Sequence, residues 1–592
     1  MSSRLSRRNF LKGAAATAAL NRASGLAFAN ADQARELLQE FEYADVKLTG
    51  GPLKQQYDRV HAHYLALDDD RLLKVYRERA GLPAPGKDMG GWYDLNGFVP
   101  GHSLGQYISG LSRIGASTGD TACHAKVHAL VKGFAATIGP DNQSILRPKT
   151  NLWISYTLDK HFVGLIDSLI LSNAPESKEL LNRILAGSAS LLPAKGYDRI
   201  GKKDPPYDET FVMPENLFTA YKLTGNPAFQ DLALKYMLDR EYFDRLANGE
   251  DPFPGQHAYS HAIALSSAGK AYQIGGDEKY KRAMQNAFTL LTTQQQFASG
   301  GWGPNETFIE PHKGQLYDSL SATVDHFESP CGSYAATKLA RYLLRFTGDP
   351  RYGDNLERVV YNTILAVKPP DSDGDYPYYS TYSPNGTKVF YQKKWPCCSG
   401  TLVQTVADYV LNIYFRSKDG IYINLYAPSE VRWTQDANAI KLTQRAGTSE
   451  DDATSLQVET QKPSTFTIYL RIPAWTKGAT IAINGKPFAT GTEPKGFFAI
   501  KRTWHNNDRI ELSLPQTFRT EAIDDLHPNI AALMRGPTMY VALNPKLGRA
   551  RQKLSPSALK QIAPQAYIAN DTVFVPFNHV ENEAYDTYFD IA

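Results

Sequence analysis

Cysteine is scarce in this chain, which has only four among 592 residues. Three of them fall in two short segments, Glu328-Ser329-Pro330-Cys331 and Pro396-Cys397-Cys398. Adjacent cysteines rarely bridge each other, so a thiolate metal site explains this trio better than one disulfide with a leftover thiol. The fourth, Cys123, stands apart and is predicted to be a buried helix residue.

The chain also lacks an excess of charge of either sign and lacks long apolar runs. Its 64 basic and 61 acidic residues leave a net charge of +3, which gives no reason to expect nucleic acid or an anionic membrane as a partner. No segment after the N-terminal region is apolar over the length that a bilayer requires, so no membrane span is predicted. The hydrophobic content of 42% is ordinary for a globular protein, and the length allows several domains.

The N-terminus has the three parts of an export signal in order. Ser6 to Lys12 contains a twin-arginine pattern, Ala14 to Leu20 is a short apolar run, and Ala27-Phe28-Ala29 is a small-residue cleavage site. We therefore expect residues 1–29 to be a twin-arginine signal peptide. The mature chain would begin near Asn30 and be periplasmic or secreted. Twin-arginine export carries folded proteins, which suits a protein loaded with metal in the cytoplasm.

Residues 30–415 have mostly helical periodicity, and one kind of turn recurs between the helices. In each turn a glycine ends a helix, and an aspartate or asparagine begins the next element. The turns are Thr118-Gly119-Asp120, Thr224-Gly225-Asn226, Gly275-Gly276-Asp277 and Thr347-Gly348-Asp349. Repeated helical hairpins of this kind predict an α/α toroid with a central cleft. An irregular helical array is the alternative.

Residues 416–592 have a different texture, with short β-rich runs separated by turn signals such as Asn484-Gly485 and Asn507-Asp508. The runs include Ile421 to Tyr426, Thr465 to Ile472, Thr480 to Ile483, Phe497 to Lys501, Arg509 to Leu514, 531–543 and 572–577. This pattern predicts one or two β-sandwiches that brace the helical part. The chain as a whole is therefore predicted to be a multidomain α+β protein.

Both cysteine segments lead into amphipathic helices. Apolar residues recur at the same offsets after Cys331 and after Cys398, which marks one buried face in each helix. Ser329 is the predicted N-cap, with Pro330 in the first turn. The dipole at a helix N-terminus favours a thiolate. Together with Glu328, the three cysteines would make a tetrahedral site of three sulfurs and one oxygen that suits Zn²⁺, either closed and structural or catalytic.

Two further segments carry candidate polar chemistry. Glu306 follows Trp302 in a glycine-rich loop, where a carboxylate in a cleft with a raised pKa can act as a general acid; the alternative is a solvated loop glutamate. His102 and His257 each precede a predicted helix and are expected to bond to sugar hydroxyls or to the core. The 34 tyrosines and 7 tryptophans suit a sugar-binding cleft but also fill cores.

These segments resemble, in the same order, the β-L-arabinofuranosidase family, glycoside hydrolase family 127, once a large domain of unknown function. The matching helical segments are Gly101 to Gly105, the His257 segment, the Glu306 loop, Glu328 to Cys331, and Trp395 to Thr401. The matching β segments are Leu470 to Trp475, Ile483-Asn484-Gly485 and Arg535-Gly536-Pro537. The resemblance covers nearly the whole mature chain, and the double cysteine is its most specific part.

The resemblance implies an (α/α)6 barrel with C-terminal β-sandwiches and an exo-acting retaining glycosidase for plant or algal glycans. In this family a zinc-bound cysteine replaces the usual carboxylate nucleophile. Cys397 would attack the anomeric carbon, and Glu306 would protonate the leaving oxygen and then deprotonate water. The metal ligands implied by the resemblance are Glu328, Cys397 and Cys398, and Cys331 is the candidate for the remaining ligand. The implied substrate contacts are His102, His257 and Trp302.

The chain departs from the family pattern at two positions. Pro330 occupies the usual ligand position, and Cys331 follows it, so either Cys331 takes over the ligand role or the metal site is incomplete. Asp159 replaces a histidine that precedes a lysine, so the sugar could differ from arabinofuranose, for example a 3,6-anhydro-galactose end. A polysaccharide lyase on the same scaffold and a non-catalytic carbohydrate-binding protein are the other readings.

Overall fold

The computed structural model describes residues 35–142, 153–196, 209–371, 373–447, 451–492, 496–545 and 551–591. The predicted signal peptide and its cleavage site lie outside these ranges, so they stay predictions. Within the described ranges, no helix combines the length and apolar character needed to cross a bilayer.

Sixteen α-helices lie in the described residues, and all but the last begin and end before residue 408. The first eight are α1 Gly51–Leu65, α2 Asp69–Ala80, α3 Leu104–Thr118, α4 Thr121–Ala136, α5 Ile154–Leu171, α6 Glu176–Ser188, α7 Pro214–Thr224 and α8 Pro227–Tyr236. The others are α9 Asp244–Ala247, α10 Ala258–Gly275, α11 Glu278–Leu290, α12 Gln315–Ala322, α13 Ser329–Thr347, α14 Pro350–Val359, α15 Cys397–Ala407 and α16 Tyr409–Ile413.

Six of these helices form a closed inner ring. Each inner helix packs directly on the next one around the ring. The order is α3, α5, α7, α10, α13 and α15, and α15 packs back on α3. The outer helices α4, α6, α8, α11 and α14 each follow and pack on an inner helix, and α1 covers α15. This arrangement confirms the predicted (α/α)6 barrel.

The recurring turns are where the inner helices give way to the outer ones. All four glycines have positive φ as helix C-caps, namely Gly119 (φ 74), Gly225 (φ 74), Gly276 (φ 72) and Gly348 (φ 68). The side chain of the next residue accepts a hydrogen bond from a backbone N–H of the outer helix, at Asp120, Asn226, Asp277 and Asp349. The sequence-based prediction of these turns is confirmed, and its physical basis is the left-handed conformation that glycine adopts without a steric penalty.

A close crossing of two inner helices explains a further glycine of the His102 segment. A Cβ atom on Gly105 of α3 would lie only 1.8 Å from the carbonyl oxygen of Lys160 of α5. Facing it, a Cβ atom on Gly164 would meet Gly105. Only glycine therefore allows α3 and α5 to approach this closely, and this approach holds Lys160 beside the barrel centre.

The strands flank the barrel helices in the sequence and dominate the last third of the chain. The first twelve are β1 Gln39–Glu40, β2 Val46–Leu48, β3 Phe327–Glu328, β4 Tyr379–Ser380, β5 Tyr414–Ser417, β6 Gly420–Ile423, β7 Ser429–Gln435, β8 Asn438–Gln444, β9 Ala453–Thr460, β10 Ser464–Arg471, β11 Ala479–Ile483 and β12 Lys486–Thr492. The rest are β13 Phe497–Trp504, β14 Arg509–Ser513, β15 Phe518–Ala522, β16 Ile530–Arg535, β17 Thr538–Leu543, β18 Lys553–Leu554, β19 Lys560–Ala563, β20 Ala566–Ala569, β21 Thr572–Pro576, β22 Tyr585–Asp586 and β23 Tyr588–Ile591.

Three larger sheets are built from the described strands. The first has the order β1-β5-β6-β10-β13, and the second β12-β11-β14-β9-β8-β7-β2. Trp433 of β7 contacts Phe466 of β10 across these two sheets, with ring centroids 5.5 Å apart, as in a β-sandwich. The third sheet has the order β18-β23-β16-β17-β21-β20-β19, with β15 on β16 and β22 on β17. The β-rich C-terminal region is therefore confirmed.

The N-terminal strands belong to the sandwich although they precede the barrel in the sequence. Gln39 of β1 pairs with Arg416 of β5, and Val46 of β2 pairs with Val431 of β7. The predicted boundary at residues 415 and 416 also falls inside β5, which begins at Tyr414. A purely sequential division of the chain therefore does not describe how its strands pair.

An ion-paired contact docks the sandwich on the outer helix α14. Arg471, at the end of β10, is fully buried and forms ion pairs with Asp354 and with Glu357, the latter at 3.1 Å. The indole N–H of Trp475 donates to Glu357 at 2.9 Å. These residues belong to the Leu470 to Trp475 segment, so that segment serves the interface between the two parts of the molecule.

A buried carboxylate joins three elements inside the barrel. Asp408, between α15 and α16, accepts hydrogen bonds from Arg113 at 2.9 Å, from Arg341 at 2.8 Å and from the hydroxyl of Tyr43 at 2.6 Å. Burial raises the pKa of Asp408, but the two guanidinium groups outweigh it and hold this pKa below its ordinary value. Asp408 therefore gives one shared counter-charge to two cations that have little access to water, and Asp167 and Glu40 pair with the same two arginines.

Asp408→Asn is expected to destabilise the barrel by about 3–5 kcal/mol, because it leaves two buried guanidinium groups with one counter-charge fewer. Urea-induced unfolding followed by circular dichroism measures the effect. Asp58→Asn is the matched control, since Asp58 forms only an exposed pair with Lys54. Equal unfolding midpoints for the two variants would contradict this role of Asp408.

Candidate active site

Three cysteine thiols and one glutamate carboxyl group converge at the end of the inner helix ring. The Sγ atom of Cys397 lies 3.7 Å from Cys331 Sγ, 4.0 Å from Cys398 Sγ and 3.2 Å from Glu328 Oε1. Cys398 Sγ lies 3.4 Å from Cys331 Sγ and 3.6 Å from Glu328 Oε1. All four residues are buried, and their ligand atoms lie within 4.8 Å of one another.

These separations fit a four-coordinate metal ion. Zinc bonds sulfur at about 2.3 Å and carboxylate oxygen at about 2.1 Å, so tetrahedral ligands lie about 3.8 Å apart for two sulfurs and about 3.6 Å for sulfur and oxygen. The distances above differ from these values by a few tenths of an ångström. None of the three cysteines forms a disulfide. The cluster is thus able to hold a metal ion.

Helix geometry brings Cys331 into this cluster. Glu328 is the N-cap of α13 and Ser329 its first residue, so the predicted N-cap at Ser329 is wrong by one position. Residues three apart share a helix face, so Glu328 and Cys331 point the same way, whereas Pro330 points elsewhere. Cys397 is the first residue of α15. Of the two possibilities left open by the sequence, the one in which Cys331 joins the donor set agrees with these positions.

Cys397 differs electrostatically from the other two thiols. Burial raises its pKa, but hydrogen bonds from Cys331, Cys398 and Tyr378 and the charge of Lys160 bring the pKa well below its ordinary value. Burial raises the pKa of Cys331 and of Cys398. Among the three thiols, Cys397 is therefore the one that holds a negative charge.

Cys397 also faces a cavity of about 250 Å³. The cavity walls carry three glutamates, a histidine and seven aromatic residues. They consist of Trp92, Phe98, Val99, Trp153, Tyr156, Glu209, His257, Tyr259, Glu306, Glu328, Tyr378, Tyr391, Lys393 and Cys397. Aromatic faces beside a few polar groups are typical of a carbohydrate site.

Glu306 reaches this cavity from a strained loop. Both Asn305 (φ 53) and Glu306 (φ 58) have left-handed backbone conformations, which cost of order 1–3 kcal/mol for a residue such as glutamate. The turn is held by the Asn305 N–H, which donates to the carbonyl of Asp325 at 2.7 Å, and by a β-bridge between Thr307 and His257. Such strain is common where a fixed side-chain direction is needed for function.

The charge state of Glu306 differs from the expectation. Burial raises its pKa, but hydrogen bonds from His257 and Tyr379 outweigh burial and hold the pKa below the ordinary value. The predicted rise is therefore wrong for the ligand-free site. The pKa is lowered because the imidazole Nε2 of His257 lies 3.5 Å from Glu306 Oε2 and favours the ionised carboxylate.

Glu209 anchors the other side of that imidazole. Its Oε1 atom lies 2.7 Å from His257 Nδ1, and its side chain is fully buried. Burial lowers the pKa of His257, but the carboxylates of Glu209 and Glu306 raise it to about 10. His257 therefore carries a proton between two carboxylates at neutral pH.

The structure places the other predicted substrate contacts behind the cavity walls. His102 is fully buried, and its Nδ1 atom lies 2.7 Å from the carbonyl oxygen of Val99. Trp302 is 3% exposed and packs against Phe308 and Phe327. Neither residue lines the cavity, unlike His257. Direct sugar contacts by His102 and Trp302 therefore stay predictions without support from these positions.

Asp159 does not line the cavity either. Its Oδ1 atom accepts a hydrogen bond from the side-chain amide of Asn216 at 2.8 Å, and burial raises its pKa to about 7. The neighbouring Lys160 is the residue that acts on Cys397. The departure from the family pattern at Asp159 thus lies outside the described cavity wall.

Several cavity residues carry no sequence signal that singles them out. Glu209 lies in an ordinary acidic stretch, and Tyr378 and Tyr379 belong to a loop without a distinctive motif. Tyr379 is placed by the short ribbon of β3 and β4, in which it pairs with Glu328. Only that pairing, which joins distant parts of the chain, brings its hydroxyl to Glu306.

The central cavity of this helical barrel brings glutamates, aromatic rings and a buried cysteine cluster together, as a glycan-processing enzyme requires, and comparisons with known proteins identify that class. The models of the β-L-arabinofuranosidase GH127 catalytic and middle domains match residues 45–410 and 420–516. The chain belongs to glycoside hydrolase family 127, and it is a glycoside hydrolase.

Solved structures show the same fold. A GH127 β-L-arabinofuranosidase from Geobacillus stearothermophilus T6 is 18% identical, with a TM-score of 0.70 over 93% of this chain and 100% of that chain. The GH127 β-arabinofuranosidase BT3674 is 16% identical, with a TM-score of 0.72 over 94% of this chain and 98% of that chain. No curated protein matches the sequence.

The thiol electrostatics predict an order of chemical reactivity. In chelator-treated protein near neutral pH, iodoacetamide is expected to modify Cys397 first, because a thiolate is the reacting species and Cys397 alone of the trio lines the cavity. Peptide mass spectrometry over time measures the order. Cys123, whose pKa burial raises to about 12, is the slow internal control. Equally fast modification of Cys331 or Cys398 would contradict the assignment.

Proposed function

We propose that this protein is an exported, retaining exo-glycosidase that removes terminal β-L-arabinofuranosyl units from plant or algal glycans. The observation that carries the proposal is the convergence of Cys397, Glu328 and Glu306 on one aromatic-lined cavity. A glycosidase of this family needs a nucleophile and an acid/base on one substrate site, and Cys397 and Glu306 supply them.

We propose Zn²⁺ as the cofactor, held by Glu328, Cys331, Cys397 and Cys398. The donor set supports zinc, because three thiolates and a carboxylate at tetrahedral separations suit this borderline-soft ion. When bound, zinc supplies positive charge that keeps the Cys397 sulfur ionised at neutral pH. The N-terminus of α15 and Lys160 favour the same state of Cys397.

In the first step, Cys397 Sγ attacks the anomeric carbon. The carbon–sulfur bond forms as the bond to the leaving oxygen breaks, and Glu306 transfers a proton to that oxygen. In the second step, Glu306 removes a proton from water, which attacks the same carbon and releases the sugar and the thiolate. Two displacements at one carbon retain its configuration.

The proton for the first step has an identifiable source. Glu306 is ionised in the free site, whereas His257, 3.5 Å away, carries a proton. A sugar that covers Glu306 excludes water and raises the pKa of this carboxyl, so the proton shared by the pair moves toward Glu306. Glu209 keeps the imidazole oriented with Nε2 toward the acid/base.

The substrate choice is supported by the family and by the cavity wall. Asp159, the residue that suggested a different sugar, does not line the described wall. A 3,6-anhydro-galactose end is the second candidate sugar. The non-catalytic reading rested on a metal site left incomplete by Pro330, and the 3.4 Å distance between the Sγ atoms of Cys331 and Cys398 favours a complete donor set instead.

We further propose periplasmic or secreted localisation through the twin-arginine segment Ser6 to Lys12. Its support is the order of the basic, apolar and cleavage-site parts. Export of the folded chain agrees with a metal site formed by residues from distant parts of the sequence.

Cys397→Ala is expected to abolish hydrolysis of a nitrophenyl β-L-arabinofuranoside, because no other described cavity residue presents a thiolate. Glu306→Gln is expected to lower the rate on natural glycans by about 10²–10⁴-fold, with a smaller loss on the nitrophenyl substrate, whose leaving group needs little protonation. Steady-state kinetics measures both effects. Cys123→Ala is the control, and wild-type turnover by Cys397→Ala would contradict the mechanism.

The pH dependence of the rate tests whether His257 supplies the proton that Glu306 transfers. His257 loses its proton as pH rises through about 10, so kcat/KM is expected to fall on the alkaline side in that region. Glu209→Gln removes a negative charge from the imidazole, lowers its pKa and moves this alkaline limb to lower pH. Glu250→Gln, an exposed change, is the control. An unchanged alkaline limb in Glu209→Gln would contradict the role of Glu209.

A further inference from the structure

A histidine, an aspartate and a cysteine, which are residue types that can bind metal ions, lie together away from the cavity, between the outer helices α1 and α4. His61 Nε2 lies 2.9 Å from Asp120 Oδ2 and 3.3 Å from Cys123 Sγ. Cys123 Sγ lies 3.9 Å from Asp120 Oδ2. No sequence pattern links the three residues, because α1 and α4 are joined through an intervening helix pair.

The three groups converge on one point rather than forming a relay. In a catalytic relay a thiol and a carboxylate contact different nitrogens of the imidazole. Here the carboxylate and the thiol both approach Nε2 of His61. A nitrogen, an oxygen and a sulfur that all lie within 3.9 Å of one another are the arrangement expected of ligands around a shared cation.

The separations also match a metal ion. With bonds of about 2.0 Å to nitrogen, 2.1 Å to oxygen and 2.3 Å to sulfur, tetrahedral ligands lie about 3.4 to 3.6 Å apart. Each observed distance is within about half an ångström of its expected value. The side chains of His61 and Asp120 are 19% and 28% exposed, so a water molecule can complete the coordination.

Backbone structure fixes two of the ligands in place. Asp120 is the N-cap of α4, and its Oδ1 atom accepts from the Ala122 N–H at 2.8 Å, which leaves Oδ2 directed at His61. Cys123 is the third residue of the same helix and is fully buried. The carboxylate therefore has one oxygen for the helix and one for a cation.

The other three turns of the same kind provide an internal comparison. At the position that Cys123 occupies, each of them has a buried aromatic side chain. These residues are Phe229, Tyr280 and Tyr352. A cysteine is therefore not needed to fill this position. Among the four turns, the one at Asp120 has a cysteine here, and that cysteine contacts His61 of the facing helix.

We propose that His61, Asp120 and Cys123 form a second metal site, which binds a borderline divalent cation such as Zn²⁺ together with water. Neutral imidazole, carboxylate and thiolate carry two negative charges, which balance the charge of the ion. The site has three protein ligands and some exposure, so it binds more weakly than the four-ligand cluster. This site is independent of the proposed glycosidase activity.

Metal content tests the proposal. Full-length protein is equilibrated with micromolar Zn²⁺ and desalted, and its zinc content is measured by inductively coupled plasma mass spectrometry. We expect about two zinc ions per chain, one in the cavity cluster and one at the second site. Cys123→Ala and His61→Ala should each contain about one. His124→Ala is the matched control, because His124 neighbours Cys123 but bonds to Ser172, and it should keep the wild-type content.

A spectroscopic measurement covers the case in which a variant folds poorly. Co²⁺ titration of the wild-type protein should show a second, weaker step with thiolate-to-cobalt charge-transfer absorption, and Cys123→Ser should lose that step alone. Wild-type protein with one metal ion per chain and an unchanged content in Cys123→Ala would overturn the proposal. Loss of glycosidase activity in a Cys397 variant that keeps the weaker step separates the two sites.

Discussion

The N-termini of α13 and α15 lie side by side, and this packing is the constraint on which the site depends. Thr405 of α15 donates to the carbonyl of Pro330 in α13, and the Thr401 hydroxyl lies 3.1 Å from Cys331 Sγ. These contacts fix the spacing of the two helices and therefore of their cysteines. Four acidic groups so close together in a buried place repel one another when ionised, and a cation relieves that repulsion.

The barrel gives the cluster rigid supports, while loops supply the groups that change protonation. Cys331 and Cys397 lie in the first turns of the inner helices α13 and α15. Glu306, by contrast, is on a strained loop, tied to His257 by a β-bridge. Metal ligands require fixed separations, which rigid helices provide. The direction of an acid/base side chain can instead be set by a loop that neighbouring residues hold in place.

Local signals made much of the fold predictable from the sequence. Gly119 and Asp120, with their three equivalents, are the residue types that end one helix and begin the next, and the two cysteine segments mark helix starts. Strands β7 and β8 lack a recognisable turn signal in the sequence, because Asp436 and Ala437 form their turn with positive φ and without glycine. The role of Glu209 and the lowered pKa of Glu306 depend on contacts between distant segments, which no local pattern encodes.

The pairing of β1 with β5 also bears on how the molecule is made. Strand β5 emerges from the ribosome long after β1, and α15 likewise emerges long after α1, on which it packs. The ring of helices therefore closes only after most of the chain has been synthesised, and its early helices spend that time without their final neighbours. Contacts between such distant segments form slowly, and the donor cluster depends on the same late contact, because α15 carries two of its cysteines.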